Sequence, residues 1–550
     1  MRAWRDRTGL ATAMATRLGL LVLLVGMAVP VAAQVTPAGG GGAALDPVRA
    51  LRTAPERTGF RETTRHDDVV AWMETVAAAS PVIQLDTFGY SLQGRVLPMA
   101  IVGRLTDTRP ETVRASGKTV VYLQGNIHAG EVEGKEVLLM MLREFALGEH
   151  HALLDSLVLI VVPNYNADGN EAVLLTNRPA QHGPVAGMGT RPNSQGLNLN
   201  RDHTKLTSPE ARSLAQMLAA YDPHVGVDLH TTNGTRHGYY LTYSPPLHPN
   251  TTDGIVSLLR DDWLPHTTAE VSRKYDWDFY YYGNVQGQGE ARGWYTFDHR
   301  PRFSNNYLGL RNRIGILSEA YSYATFEDRI LATRRFVDEI LAFAHTHAGR
   351  VRSVVAAAEA QPVIGQRLAT RATFERSPEP VRILMGAVEE ERNPYSGATM
   401  LRRLDVRTPE MMYEYGTFAA TETAVVPAAY ILLETSPQVL ANLEAHGVRT
   451  RALGQARELE VERFRVDSTS LAPREFEGQR ERTVVGEWVA ASVAVPADAV
   501  VIDMDQPLAR LLFTLLEPRS DDGLVNWNLF DRWLEADGTL PIVRSHRPVR

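Results

Sequence analysis

The feature that most constrains the fold is an alternation of apolar, strand-like runs with amphipathic helical patterns between residues 67 and 347. The clearest strand is Ser156–Pro163, which reads SLVLIVVP and is apolar over almost its whole length. Lys118–Ile127 is a second buried-strand pattern, and the amphipathic run Val132–Leu147 follows it directly. Strands that alternate with helices predict an α/β domain built on a largely parallel or mixed sheet.

The same alternation continues toward the C-terminal end of this region. A helical pattern over Pro209–Tyr221 leads into a short strand, Val225–Leu229. A further strand over Arg313–Leu317 precedes a helix over Phe326–His345. In open α/β sheets, ligands bind outside the carboxyl ends of the strands. Polar residues that follow these strands are therefore the first candidates for a functional site.

The pattern changes after the last of these helices. Short β-type segments such as Tyr430–Glu434, Thr483–Val495 and Ala499–Ile502 then alternate with proline-rich turns. A chain of 550 residues is far longer than the roughly 100–150 residues typical of one domain. We therefore predict an α/β domain over residues 55–350 and a second, β-rich domain of unknown role over residues 360–550.

The N-terminal segment has the composition of an export signal. Several arginines precede an apolar run from Leu18 to Val29, and small residues at positions 31–33 offer a cleavage site. The alternative is a membrane anchor, but the apolar run is shorter than the ~20 residues that span a bilayer. We predict a signal peptide over residues 1–33, a flexible tether over residues 34–54, and no integral membrane span after cleavage. The expected location is periplasmic or extracellular.

Cysteine is absent from the whole sequence. Its absence excludes disulfides, thiolate zinc sites, iron–sulfur clusters and a cysteine nucleophile, so a metal site in this chain must use nitrogen and oxygen ligands. The formal net charge is −7, and no basic face stands out. This charge balance argues against a nucleic acid partner.

Two histidines and a glutamate stand at the predicted strand ends. His128 and Glu131 lie three residues apart in the stretch GNIHAGE, where a strand ends and a helix begins. His230 follows the strand Val225–Leu229. Each residue alone is typical of an ordinary loop, but two histidines and a glutamate with an open fourth position form a catalytic zinc set. The three residues are therefore candidates to hold one Zn²⁺ ion.

The residues around these candidate ligands resemble a known family. Residues 191–201 read RPNSQGLNLNR and end in the pair Asn200 and Arg201, and Glu319 follows a later apolar run. An H-x-x-E pair, an Asn-Arg pair, a histidine that serves as the third ligand and a late glutamate follow one another in this order. Over about residues 60–345 the sequence thereby resembles the zinc metallocarboxypeptidases of the carboxypeptidase A/B type, as a secreted member with a C-terminal extension. The resemblance implies a mixed eight-stranded sheet flanked by helices.

The resemblance also implies roles for individual residues. By their order in the chain, His128, Glu131 and His230 correspond to the zinc ligands of the family. Asn200 and Arg201 correspond to the pair that binds the substrate carboxylate, and Glu319 corresponds to the catalytic glutamate. An arginine is expected to stabilise the tetrahedral oxyanion. We choose Arg191 for this role, with Arg178 as the alternative. Apart from the resemblance, Glu319 could also be a carboxylate that pairs with Arg313.

Three positions depart from the family pattern. The family commonly places an aspartate two residues before the Asn-Arg pair, where it orients a ligand histidine. This chain has Asn198 there, which can accept a hydrogen bond but adds no charge. The mobile tyrosine of the family has two possible counterparts, Tyr295 and Tyr307. The residue that sets the side-chain preference is expected within Arg302–Tyr307.

The predicted function is a zinc-dependent peptidase of the metallocarboxypeptidase type. It would hydrolyse a peptide bond near a free C-terminal carboxylate through zinc-activated water, with Glu319 as general base. One alternative is a related zinc amidohydrolase that acts on small N-acyl or cell-wall peptide substrates. Another is a non-catalytic binding protein on the same scaffold, although retention of all three ligands together with Glu319 argues against it.

Overall fold

The computed structural model describes residues 45–232 and 234–549. The predicted signal peptide and most of the predicted tether lie outside the described residues. The described part of the predicted tether contains a short helix, Asp46–Ala50. Val48 in this helix and Thr53 after it are buried. No helix within the described ranges is long and apolar enough to cross a membrane.

A mixed eight-stranded sheet forms the centre of the fold. Its strands and those of a neighbouring hairpin are, in chain order, β1 (Ile83–Tyr90), β2 (Val96–Val102), β3 (Thr119–Gly125), β4 (Leu157–Val162), β5 (Val225–Thr232), β6 (Leu241–Ser244), β7 (Phe279–Tyr281), β8 (Asn284–Gln286), β9 (Gly293–Tyr295) and β10 (Ile314–Tyr321). The order in the sheet is β1-β2-β4-β3-β5-β10-β6-β7. The central strands β4, β3, β5 and β10 are parallel, whereas the pairings β1-β2, β2-β4 and β10-β6 are antiparallel. The predicted mixed eight-stranded sheet is confirmed.

Helices flank this sheet on both faces. They are α1 (Asp46–Ala50), α2 (Ala54–Thr58), α3 (His66–Ala79), α4 (Pro110–Ala115), α5 (Glu133–Ala146), α6 (Ala167–Glu171), α7 (Pro209–Tyr221), α8 (Asp253–Ser257), α9 (Leu264–Tyr275), α10 (Ser304–Leu310), α11 (Phe326–Thr346) and α12 (Ala348–Ala360). Successive side chains of a strand point to opposite faces. Val121 and Leu123 of β3 accordingly join the core that holds residues of α3, α5 and α11. Val120 and Tyr122 join the core that holds residues of α7 and α10.

The C-terminal region is rich in β-structure, as predicted. Its strands are β11 (Arg367–Glu375), β12 (Val381–Arg392), β13 (Thr399–Tyr415), β14 (Thr417–Val425), β15 (Ala429–Leu432), β16 (Arg451–Ala452), β17 (Arg457–Leu471), β18 (Arg482–Val495), β19 (Val500–Asp503) and β20 (Ile542–Ser545). Its helices are α13 (Pro437–Ala445), α14 (Ala509–Leu516) and α15 (Asp531–Ala536). The strands form a two-stranded sheet, a six-stranded sheet and part of a four-stranded sheet.

The C-terminal region shares structure with the α/β part of the chain. The four-stranded sheet has the order β12-β13-β9-β8 and so combines strands of both parts. Tyr430 of β15 and Phe513 of α14 belong to the same apolar core as Leu218 of α7. The described residues fall within one compact unit. The division into domains over 55–350 and 360–550 stays a prediction about sequence organisation, and α12 spans the boundary between them.

Two strands run further than the apolar pattern predicts. β5 extends to Thr232 rather than Leu229, and β10 extends to Tyr321 rather than Leu317. The extensions contain polar residues, and a polar residue after an apolar run usually indicates the end of a strand. Here both strands continue through polar residues whose side chains belong to the site described below.

Candidate active site

The loop after β3 brings His128 and Glu131 to the edge of the sheet. The chain leaves β3 at Asn126, whose φ of 64° lies in the left-handed region, and then turns toward α5. The turn is tight, because a Cβ at Gly130 would lie 2.9 Å from the carbonyl oxygen of Gly189. Only glycine fits there without displacing the backbone. The turn thus directs an imidazole and a carboxylate to one side of the loop.

Three ligand atoms converge beside this loop. Nδ1 of His128 lies 3.1 Å from Oε2 of Glu131. Nδ1 of His230, on β5, lies 2.9 Å from the same carboxylate oxygen and 3.2 Å from Nδ1 of His128. All three side chains are buried, and their ligand atoms are close enough to bind one metal ion. Two imidazole nitrogens and a carboxylate oxygen are ligands that suit zinc.

Each imidazole donates a hydrogen bond from its other ring nitrogen to a buried acceptor. Nε2 of His128 donates to Oδ1 of Asn198 over 2.9 Å. Nε2 of His230 donates to Oδ2 of Asp228 over 2.8 Å. Such bonds set the tautomer and the orientation of a ligand histidine and leave Nδ1 available to a metal. Asn198 therefore accepts the hydrogen bond that the family assigns to an aspartate, without its charge.

Asp228 is the centre of a buried hydrogen-bond network. Its Oδ1 accepts a hydrogen bond of 2.9 Å from Nε2 of Gln124 on β3. Its Oδ2 accepts one of 2.6 Å from the hydroxyl of Ser304 at the start of α10. Asp228 and His230 lie two residues apart on β5, so their side chains are on the same face of the sheet. The network therefore ties the ring of His230 to two further elements.

The three candidate ligands have different protonation tendencies. Burial lowers the pKa of His128 to about 3, which keeps this ring neutral. Burial also opposes the charged form of His230, but the charge of Asp228 outweighs burial and raises the pKa of His230 well above its usual value. Burial opposes the charged form of Glu131 as well, but His128 and Arg178 outweigh it, so the pKa of Glu131 is lowered. A metal bound here would therefore replace a proton on His230.

Glu319 lies beside His230 in the sheet. The two residues are opposite each other in the parallel register of β10 and β5. Burial raises the pKa of the Glu319 carboxyl to about 8, and the charge of Glu131 adds to this effect although His230 opposes it. The alternative pairing with Arg313 is absent, because the guanidinium of Arg313 binds other carboxylates. Glu319 thus faces the cleft with a carboxyl group that binds protons readily.

Two arginines contact Oε1 of Glu131, the carboxylate oxygen that does not face the two histidines. Arg178 donates from Nη1 to Oε1 of Glu131 over 2.8 Å and from Nη2 to the carbonyl oxygen of Thr231 over 3.1 Å. Arg191 lies 3.3 Å from the same carboxylate oxygen and 3.2 Å from Nδ1 of His128. Arg191 lines the cleft and its side chain is 42% exposed, whereas that of Arg178 is only 14% exposed. Of the two arginines, Arg191 is the one that substrate can reach.

Asn200 and Arg201 line the same cleft. The guanidinium carbon of Arg201 lies 3.9 Å from the centre of the Phe303 ring. Burial lowers the pKa of Arg201 to about 10, and the positive charges of Arg191 and Arg302 act in the same direction. Arg201 donates to the carbonyl oxygen of Asn200 over 2.6 Å. Within the described residues it has no carboxylate at ion-pair distance, so its charge is available to an anionic ligand.

These side chains line one cleft of about 160 Å³. Its lining residues are His128, Glu131, Arg191, Asn200, Arg201, Thr231, Thr232, Tyr282, Phe297, Phe303, Leu317 and Glu319. The structure therefore brings the predicted residues together, with His230 directly behind Glu131. Phe303 is the member of the expected Arg302–Tyr307 segment that reaches the cleft.

The tyrosine of the cleft is neither of the two sequence candidates. The ring of Tyr295 stacks on Tyr415, with 3.9 Å between the ring centres. Tyr307 is buried, and its hydroxyl lies 2.8 Å from Nδ1 of His446. Tyr282 lines the cleft instead. It follows β7, a strand whose place at the edge of the sheet was not predicted.

Sequence reasoning missed several residues that support the site. Asp228 could have been found, because an aspartate two residues before a ligand histidine on a strand shares its face. Phe303 and Ser304 lie in the expected segment Arg302–Tyr307, but nothing in the sequence singled out either residue, since their contacts with Arg201 and Asp228 arise only in the folded chain.

Comparison with known proteins finds similarity to zinc carboxypeptidases. Residues 69–255 match the zinc carboxypeptidase family, Peptidase_M14. Carboxypeptidase 2 of Trichophyton tonsurans is 23% identical over 441 residues, which are 76% of this chain and 74% of that protein. Human carboxypeptidase Z is 34% identical over 116 residues, which are 20% of this chain and 17% of that protein. A solved metallo-carboxypeptidase from Burkholderia cenocepacia is 18% identical and covers 51% of this chain and 69% of its own, with a TM-score of 0.38.

The family match and the ligand group point in the same direction. The matched segment contains His128, Glu131 and His230, whose ligand atoms converge. The match over residues 69–255 and the carboxypeptidase relatives indicate a zinc metallopeptidase, and the converging ligand atoms are consistent with a single zinc ion.

Proposed function

We propose that the protein is a metallocarboxypeptidase that hydrolyses the peptide bond next to a free C-terminal carboxylate. The observation that carries this proposal is Arg201, a partly buried cation without a carboxylate at ion-pair distance in the described structure, which lines the same cleft as Glu131 and Glu319. The names of the relatives, carboxypeptidase 2 and carboxypeptidase Z, support the same substrate class.

The proposed metal ligands are His128, Glu131 and His230. Their donor atoms fit zinc in type and number, and a catalytic site of three protein ligands leaves one position for water or substrate. When bound, the ion supplies Lewis acidity, which lowers the pKa of a water molecule and polarises the peptide carbonyl. Asn198 and Asp228 hold the two imidazoles through their outer nitrogens, so the rings keep their orientation while substrate enters.

Glu319 is the proposed general base. A carboxylate at this position accepts a proton from the attacking water and delivers it to the nitrogen of the leaving amine. The raised pKa of Glu319, about 8, makes the group a better proton acceptor than an ordinary glutamate. A zinc ion beside Glu131 would lower that value, because positive charge favours the carboxylate form.

Arg201 and Asn200 are the proposed carboxylate-binding pair. A guanidinium has a planar set of N–H donors that matches the two oxygens of a carboxylate. Phe303 supports the guanidinium of Arg201 from one side through a cation–π contact. Arg191, which lies beside His128 and Glu131, is the proposed donor to the developing oxyanion.

The protein is also proposed to act outside the cytoplasm. The support is the sequence pattern of residues 1–33, with basic residues, an apolar run and small residues before position 34. Cleavage there would leave the zinc domain with its tether in the periplasm or outside the cell.

The test is hydrolysis of a peptide with a free C-terminal carboxylate, compared with its C-terminal amide. The zinc content of the purified protein is measured first, and one ion per chain is expected. The wild type should cleave the free acid far faster than the amide. Glu319→Gln should lower kcat by about 10²–10⁴-fold, the usual contribution of a general base.

A matched control is Glu327→Gln, which changes an exposed glutamate in the first turn of α11. This variant should keep the wild-type kcat. Equal cleavage of acid and amide would contradict the carboxypeptidase proposal and favour an amidohydrolase. Failure of the zinc-loaded wild type to cleave any peptide would favour a binding protein.

A further inference from the structure

We propose that two acidic residues of the C-terminal region, Asp522 and Glu477, are positioning residues of the zinc site. Each of them holds a segment of the α/β part of the chain whose next residues contact the cleft or a zinc ligand. The part of the inference that concerns Arg201 rests on the proposed function, because that function makes Arg201 the receptor of the substrate carboxylate. The part that concerns the zinc ligands does not depend on the substrate. The C-terminal region would then be a component of the active site as well as a covering of the sheet.

Asp522 holds the segment that precedes α10. Oδ2 of Asp522 accepts a hydrogen bond of 2.8 Å from the backbone nitrogen of Arg302. Oδ1 accepts one of 2.7 Å from Nε of the same arginine. The side chain of Asp522 is fully buried, and that of Arg302 is 3% exposed. The guanidinium of Arg302 also lies 4.6 Å from the ring of Trp527 and 5.1 Å from the ring of Phe476. The C-terminal region therefore encloses Arg302 and fixes both its backbone and its side chain.

The two residues after Arg302 belong to the site. Phe303 lies against the guanidinium of Arg201, the proposed carboxylate receptor. Ser304 donates from its hydroxyl to Asp228, and its backbone nitrogen donates to Oδ1 of Asn200 over 3.0 Å. A shift of Arg302 moves both neighbours along the same backbone. Asp522 therefore acts on the position of Arg201 and, through Ser304, on the partner of His230.

Glu477 acts on the other histidine. Its Oε2 accepts a hydrogen bond of 2.6 Å from the backbone nitrogen of Asn198. Asn198 in turn accepts the hydrogen bond from His128. A carboxylate from the C-terminal region thus fixes the residue that orients one ligand imidazole. Hydrogen bonds to ionised groups are stronger and shorter than neutral ones, which suits this positioning role.

The backbone at Glu477 supports a specific role. Its φ of 52° lies in the left-handed region, which residues other than glycine, asparagine and aspartate rarely adopt. A strained residue persists where the surrounding contacts determine it, and such residues cluster at functional sites. Asp522 also has a positive φ, of 66°, but aspartate tolerates this conformation.

The experiment uses the full chain with Asp522→Asn, Glu477→Ala and Glu477→Gln. Asparagine keeps the shape of aspartate and tolerates a positive φ, so Asp522→Asn should fold. The controls are Glu462→Gln, which removes the charged partner of the buried Arg544, and Glu487→Ala, which removes the partner of the exposed Arg465. Both controls change acidic residues of the same region that have no contact with the site.

Two readouts separate the two positioning roles. The first is the Kd of an N-acetylated amino acid with a free carboxylate, measured by calorimetry against the matching amide. Asp522→Asn should raise the Kd of the free acid by about tenfold and leave the amide unchanged, because small displacements of positioning groups have large effects. The second is the rate at which zinc passes to a chelator. Glu477→Ala should raise this rate by about tenfold, near the low end of the effect of losing a partner of a ligand histidine.

Glu477→Gln provides the rescue, since its amide oxygen can still accept a hydrogen bond from Asn198. It should release zinc at close to the wild-type rate. The inference is overturned if Asp522→Asn and Glu477→Ala match the wild type in both readouts, or if the controls change equally. A wild type that binds neither the acid nor the amide would contradict the proposed function instead, and the zinc release rates of the Glu477 variants would still decide this inference.

Discussion

The two histidines of the zinc site are supported in different ways. His128 lies in a loop, and its outer nitrogen donates to the neutral amide of Asn198. His230 lies in a strand, and its outer nitrogen donates to the carboxylate of Asp228. Burial brings the pKa of His128 to about 3, whereas Asp228 outweighs burial and raises the pKa of His230. Either partner can orient an imidazole, but only a charged partner also makes the imidazole more basic.

The origin of the two partners also differs. Asp228 lies two residues from His230 on β5, so strand geometry alone brings them together. Asn198 lies 70 residues from His128 and is itself held by Glu477, from the C-terminal region. The hydrogen bond that orients His230 is local in sequence, whereas the one that orients His128 depends on the complete fold.

The largest expected effect follows from removing the charged support. Asp228→Asn keeps a group of the same shape beside His230 but removes the negative charge. Zinc affinity should fall by about 10–100-fold, as is typical when the outer partner of a ligand histidine is lost. Competition with a fluorescent chelator at constant pH measures the change.

The control for this variant is Asp222→Asn, which alters an aspartate that pairs with Arg313 away from the zinc ligands. It should bind zinc like the wild type. Unchanged affinity in Asp228→Asn would mean that the charge of Asp228 does not support the ligand, and the comparison of the two histidines would lose its basis.

An intermediate effect is expected for the pH dependence of zinc affinity. Asp228 keeps a proton on His230 in the metal-free protein, and zinc must displace it. Affinity should therefore fall as the pH is lowered, by about tenfold per pH unit below the pKa of His230. His128, with a pKa of about 3, is already neutral and adds nothing near neutral pH.

Calorimetry in buffers of different ionisation enthalpy counts the protons released. About one proton per zinc ion is expected from the wild type and fewer from Asp228→Asn, in which the pKa of His230 should fall. Release of two protons near neutral pH would show that both histidines are protonated and would contradict the assigned difference between them.

The smallest effect is expected when the neutral support is given a charge. Asn198→Asp should slow zinc release by about threefold, because the added charge makes His128 a better ligand. The gain is limited because a further carboxylate is buried next to Glu477, which carries the same charge. Stopped-flow transfer of zinc to a chelator measures the rate. Faster release than in the wild type would mean that repulsion from Glu477 dominates.

Much of the α/β part could be predicted from local patterns. Apolar strands and amphipathic helices bury one face or stripe, and this requirement is visible in the sequence over Pro209–Tyr221 and Ser156–Pro163. The ends of β5 and β10 were missed because His230 and Glu319 are polar, although both strands continue through them. Buried polar residues with specific partners do not follow the hydrophobic pattern, and active sites collect such residues.

The sequence by itself determined the kinds of chemistry available to this protein. The absence of cysteine and the order of His128, Glu131, His230 and Glu319 restrict the metal site to nitrogen and oxygen ligands, because side-chain chemistry is a property of composition. Only the tertiary structure decided which groups support these ligands. Asp522 and Glu477 contact Arg302 and Asn198 because the C-terminal region packs on the same core as α7 and α10. Such contacts join residues that are far apart in sequence, and no local pattern encodes them.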